Sequence, residues 1–232
     1  MRVQILAAAL LLVQPLIARE PTLSCEKKIG EIKWEGKVLH RYALRGEHFP
    51  PQQQFNLVFK SFDGTRTKTY TYLANQRGHL IFQPPEYIKG EIYALCPARK
   101  GERLTFVMEA TEGNEAYETD LVPFPIQMRS KKGVKLNMEL QGERGEKFFL
   151  FAQGLKPHEK VELYLEMEGK KLSVESTVTS LGDLCAYIYP SGEAGGGEAK
   201  LHLVRKNEEV VFPFQWGDPA LDYIGACCFE IR

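Results

Sequence analysis

One pattern occurs twice in this chain, and the repetition restricts its fold more than any other feature. Gly46, Pro50, Phe55, Leu57, Phe59, Gly64, Gly78 and Leu80 recur in the same order as Gly154, Pro157, Val161, Leu163, Leu165, Gly169, Gly182 and Leu184. Pro123-Phe124 returns as Pro213-Phe214, each placed to close its half after a short apolar run. Within each half the period is two. Phe55, Leu57 and Phe59 share one side of an extended segment, as do Val161, Leu163 and Leu165, with Glu162 and Glu166 opposite. Side chains two apart along a strand point the same way, so each run builds a sheet with one buried face.

The punctuation agrees with strands. Asp63-Gly64 and Gly169 stand where hairpins must turn. Thr and Tyr fill residues 67–72, and Val and Thr recur in residues 174–178, types that suit a pleated, half-buried surface. Residues 104–108 and 201–204 read as penultimate strands, and the last strands are expected to end at Phe124 and Phe214. Short strands separated by Gly and Pro turns predict an all-β protein of two tandem sandwiches. The expected divisions are residues 1–18, 19–126, 127–216 and a tail, 217–232. The basic, polar residues 129–132 read as a linker.

The first residues read as an export signal. Arg2 precedes an apolar run from Ile5 to Ile17, followed by the small Ala18. That run is shorter than the roughly 20 residues a bilayer span requires. Cys25 invites comparison with a lipidation site, but Thr22 occupies the position three before it and Arg19, Glu20 and Pro21 separate it from the apolar run, so lipidation is the minor alternative. The mature chain is therefore expected to be soluble, not membrane-spanning, and periplasmic, surface-exposed or secreted. Formal net charge is zero, which supplies no basic field for nucleic acid.

The immunoglobulin-like repeats of bacterial exported proteins resemble this order of Gly-x-x-x-Pro, alternating strand, turn glycine, strand and second glycine. The resemblance implies two immunoglobulin-like β-sandwich domains that act as spacers, adhesion or binding modules. The Cys–Trp–Cys arrangement of antibody domains is missing, and no site motif is carried over. Leu80-Ile81-Phe82-Gln83-Pro84-Pro85 is also similar to a segment of periplasmic pilus chaperones, which implies subunit binding in a cleft between two such domains. The Arg those chaperones use to anchor a carboxylate has no counterpart in the matching strand.

Five cysteines, Cys25, Cys96, Cys185, Cys227 and Cys228, leave one over from any set of intrachain bridges. The tail is too apolar at Leu221, Tyr223, Ile224 and Phe229 for a solvated terminus. It is expected to fold back on the second domain, with Cys185 linked to Cys227 or Cys228, the alternative being Cys185 as a small buried apolar residue.

No nucleophile elbow, His-Glu-x-x-His or phosphate-binding loop occurs, so no catalytic residue, metal or cofactor is assigned. His48 and His158 fall in turns, and His202 lies on the outer side of its strand. The acidic cluster Glu109, Glu112, Glu115, Glu118 and Asp120 reads as a solvated face. Trp34 and Trp216 are expected to plug domain ends. Among the aromatics, Tyr70 and Tyr72 share a face, as do Tyr187 and Tyr189. Core packing competes with a binding platform for both pairs; Tyr70 and Tyr72 are the leading platform residues. The function expected is a non-enzymatic interaction or structural module that meets a protein or glycan of the envelope or extracellular space. A subunit chaperone, or a carbohydrate-binding protein or small hydrolase, is the alternative.

Overall fold

A computed structural model describes residues 20–25, 28, 30–34, 36–62, 64, 70–82, 95–193 and 195–231. The export signal expected at residues 1–18 lies outside them. The described chain is all-β apart from one short 3-10 turn, and no helix in it is long and apolar enough to cross a membrane.

The first half contains β1 (Thr22–Cys25), β2 (Gly30–Trp34), β3 (Lys37–Glu47), β4 (Gln54–Lys60), β5 (Tyr70–Ala74), β6 (Leu80–Phe82), β7 (Leu95–Arg99), β8 (Leu104–Ala110) and β9 (Ala116–Leu121). The second contains β10 (Ile126–Arg129), β11 (Lys135–Leu140), β12 (Phe148–Gln153), β13 (Glu162–Met167), β14 (Lys170–Ser173), β15 (Thr177–Val178), β16 (Leu184–Ile188), β17 (Gly196–Arg205) and β18 (Glu208–Gly217). The 3-10 turn Asp218–Leu221 leads to the last strand, β19 (Tyr223–Ile231).

Four sheets result, two for each core. In the second half, β10-β11-β12-β16-β15 faces β14-β13-β17-β18. Leu136, Leu150, Leu184 and Ile188 of one sheet meet Leu163, Leu165, Leu201 and Phe212 of the other in a single buried cluster. In the first half, β6-β5-β4-β8-β9 carries Phe55, Leu57, Phe59 and Phe106 against Tyr42, Leu44, Cys96 and Ala98 of the facing sheet. Removing each large side chain from water contributes about 1.5–3 kcal/mol, so the period-two pattern fixes which face turns inward.

The repeat also has a local basis at Gly78 and Gly182. Their φ angles are 73° and 79°. The Phe49 N–H donates to the Gly78 carbonyl at 3.0 Å, and the Leu155 N–H donates to that of Gly182 at 3.1 Å. A Cβ would lie 2.7 Å from the Phe49 oxygen in one turn and 2.2 Å from the Leu155 oxygen in the other. Only glycine tolerates both that approach and the left-handed backbone.

The hairpins made by these turns dock differently. In the second half, β16 pairs directly with β12, from Phe148↔Ile188 to Ala152↔Leu184. In the first half, β6 pairs with β5, which joins β4 in the other sheet. The place beside β3 is taken by the tail. β19 runs parallel to β3, from Gly225↔Val38 to Ile231↔Leu44, and antiparallel to β7, with Cys227 opposite Cys96. The facing sheet of the first half is therefore β1-β3-β19-β7, with β2 also on β3.

This arrangement corrects several sequence expectations. The tail does not fold back on the second half as a whole: Ala220 is buried in the second core, but β19 completes the first half's sheet. The residues read as a linker, 129–132, lie in the β10–β11 hairpin, where the Ser130 N–H donates to Val134 O. Ile126 packs in the second core, so the connector is residues 122–125. Pro123-Phe124 follows the end of β9, whereas Pro213-Phe214 lies inside β18, which runs on to Gly217.

Candidate functional site

Tyr72 is 2% exposed and belongs to the first core. Its strand turns that face inward because β4 and β6 hold it in the sheet that covers the core. A buried ring offers no platform, and the side chain of Tyr70 lies outside the described residues. The exposed aromatic pair is the other one. Tyr187 and Tyr189 are 49% and 58% exposed.

Their face is the outer side of β11, β12 and β16. Phe148, Leu150 and Ala152 of β12 are buried, so Phe149 and Phe151 emerge on the opposite side. Register places Phe149 beside Tyr187, and Phe151 between Asn137 and Cys185. The Phe149 and Tyr187 rings are 5.3 Å apart and those of Tyr187 and Tyr189 6.2 Å, both tilted. Lys147 Nζ lies 5.0 Å from the centre of the Tyr187 ring. At one side Arg103 donates to Glu139 at 3.0 and 2.7 Å and to Asp120 at 3.1 Å, tying β9 to β11. The result is an apolar aromatic centre with a charged margin. It can bury ring faces against a partner, but it has no nucleophile beside a base.

Cys185 is exposed on this same face, in β16, whose partners are β12 and β15. Cys227 and Cys228 stand in β19, between β3 and β7. The expected link from Cys185 to the tail would join strands of two different sheets. The neighbour that register gives Cys227 is Cys96. Sequence could not have singled out that pair, because β7 and β19 share no repeat position.

The tail is anchored where it leaves the second half. Glu102 is 1% exposed and accepts from the Arg99 N–H at 2.8 Å, from Arg99 Nη1 at 3.1 Å and from the Ser61 hydroxyl. Held so, Arg99 donates from Nε to the Leu221 carbonyl at 3.0 Å and from Nη2 to the Tyr223 hydroxyl at 3.0 Å. Its guanidinium also lies over the Tyr223 and Phe62 rings. Alongside, the Leu140 N–H donates to Gly101 O, and Glu102 pairs in parallel with Leu140. A cleft of about 530 Å³ opens at this joint, lined by His40, Tyr42, Lys100, Phe124, Gln127 and Ile224 among others. The Tyr42 hydroxyl donates to Pro123 O at 3.0 Å and holds the connector as its wall.

His202 is covered on the outer face of its strand. Its ring stacks on Tyr164 at 4.3 Å, Nδ1 meets Glu209 at 2.8 Å, and Nε2 lies at ion-pair distance, 3.2 Å, from Glu166. His48 and His158 occupy turn positions with φ of 63° and 56°. Trp216 is buried in the second core; the side chain of Trp34 lies outside the described residues. Residues 112–115 form the exposed β8–β9 turn. Among the described residues no group of His, Cys, Asp and Glu is placed to hold a metal ion.

No protein-family model matches the chain, and no curated protein matches it. Among solved structures it is similar to one described as a tetra-tandem repeat in the extending region of a large adhesion protein. The match has 10% identity and a TM-score of 0.26, and covers 91% of this chain and 50% of the other. The chain thus spans about half the length of that structure.

Proposed function

We propose that the chain is an exported, non-enzymatic interaction module of two immunoglobulin-like sandwiches. Its partner is a protein that covers the Phe149–Tyr187–Tyr189 face. The observation that carries this reading is the exposed aromatic row on an outer sheet face, where alternation ordinarily places polar residues. Tyrosines at the centre of a patch with charged groups at its margin are the usual composition of a protein interface. The sheet orders support the sandwich type. If β11, β12, β15 and β16 are the first, second, fourth and fifth strands, the second half has the immunoglobulin order of one sheet, and β13-β17-β18 that of the other. Arg99, the buried arginine at the joint, is engaged by Glu102 and the chain's own tail.

The test is a photo-crosslinker placed at residue 187 of the exported chain, compared with one at Glu162 on the facing sheet. A defined protein adduct is expected from position 187 alone, and lost when Tyr189→Ala and Phe149→Ala are added. Equal adducts from both positions, or crosslinks to glycan only, would overturn the reading. Truncating the exposed Tyr189 ring should shift stability by no more than about 0.5 kcal/mol.

A further inference from the structure

We propose that the place between β3 and β7 is a strand acceptor that also takes the C-terminal strand of a second copy of this chain, so that copies join second half to first half.

The two halves show why the place exists. In the second half β12, the counterpart of β3, bonds directly to β16, the counterpart of β6. In the first half the matching hairpin lies in the facing sheet, and among the described residues β3 and β7 are joined only through β19. Without β19, two strand edges stand open side by side. Open edges pair readily with any extended chain that fits them.

The occupant arrives attached to the second half. Ala220 of the 3-10 turn is buried in the second core, and only Asp222, with extended backbone, separates that turn from β19. Residues 126–231 therefore behave as one body and residues 20–121 as the other, with the connector 122–125 as their direct covalent link. The contacts that hold β19 and its approach run from one body to the other: the β3 and β7 ladders and Arg99 with Leu221 and Tyr223. Arg103 with Glu139 and Gly101 with Leu140 join the same two bodies through β11. A second copy's body can make every one of them unchanged. Closure within one chain and exchange between two then differ in the path of the connector and in the entropy of association, which makes exchange rise with concentration.

Register supplies the readout. Residues directly opposite on antiparallel strands have Cα atoms 4.5–5.5 Å apart, about the span a disulfide requires, and Cys96 stands opposite Cys227. Two forms of the mature chain are prepared, both with Cys185→Ala to remove the exposed thiol. One also carries Cys96→Ala; the other carries Cys227→Ala and Cys228→Ala. Neither can close the bridge within itself. They are mixed at high concentration with oxidised glutathione. Each bridge consumes one glutathione disulfide, which takes up the two protons and two electrons of the protein thiols and leaves as two molecules of reduced glutathione. A reducible pair with one copy of each form is expected, with the Cys96 peptide joined to the Cys227 peptide and a yield that grows with concentration. If the mixture stays monomeric while the Cys185→Ala parent closes Cys96–Cys227 internally, exchange is overturned. Failure of the parent to close it overturns the register and the proposal with it. Light scattering of the unmodified chain gives an independent check, since a strict monomer at every concentration is also incompatible with exchange.

Discussion

Arg99 and Glu102 decide at the level of single side chains whether the tail stays in place. Glu102 is enclosed, and its carboxylate is met by Ser61 and by two groups of Arg99. Arg99 in turn is 11% exposed and grips the chain at Leu221 and Tyr223. Removing one member of a buried pair leaves the other charged and unmatched, which costs about 3–5 kcal/mol. Glu102→Ala should therefore lower unfolding stability by about that amount, and should make the tail a preferred site of limited proteolysis. Glu102→Gln keeps an acceptor for Ser61 and Arg99 and should lose less. Urea unfolding of the three proteins, with proteolytic fragments mapped, would check this. A Glu102→Ala protein as stable as the parent, with an uncut tail, would show that the ladders alone hold β19.

Single strands carry a different dependence, on pH. His202 on β17, Tyr164 on β13 and Glu209 on β18 meet on one outer face. Hydrogen bonds from His202 first, then Tyr164, hold the Glu209 carboxyl below its ordinary value of 4.5. A carboxylate lowered on folding adds stability above its unfolded value, and that contribution is lost as pH falls through the lowered one. Thermal melts from pH 6 to pH 3 should thus fall less steeply in Glu209→Gln than in the parent, the gap between the two curves closing at and below about 4.5; parallel curves would remove Glu209 from the acid response. What the amino-acid order revealed has the same strand-by-strand character. β4 and β13 were legible because alternation is written along each strand, and Gly78 and Gly182 because their turns are local. Whether Tyr72 or Tyr187 faces water was not legible. A strand's two faces are equivalent until a second sheet covers one, and that choice is made by residues distant in sequence. The partner of β19 was hidden for the same reason: its apolar residues announced an ordered strand, but nothing local distinguishes β3 from a strand of the nearer half.

For the whole molecule, the late strand makes the two halves unequal as folding units. The second core draws on strands from β10 to β18 and on the 3-10 turn, with Phe62, among the described residues, the one partly buried apolar residue packed on it from outside that span. A fragment of residues 126–222 should therefore fold alone and unfold cooperatively. The first half should not close in the same way, because among the described residues β3 and β7 meet only through β19, a strand that follows the whole second half. Contacts so far apart in sequence require a large loop to close before they contribute, so this sheet should be the slow step of folding. A fragment of residues 20–125 should lack a sharp thermal transition and should associate through its open edges. Residues 127–232 should be less soluble than 126–222, since they carry β19 without its sheet. Circular dichroism melts and light scattering of the three fragments would test the asymmetry. A sharp, reversible transition in residues 20–125, close to that of the intact chain, would mean that β3 and β7 can close on each other. The tail would then be a cover on a finished domain instead of its missing strand.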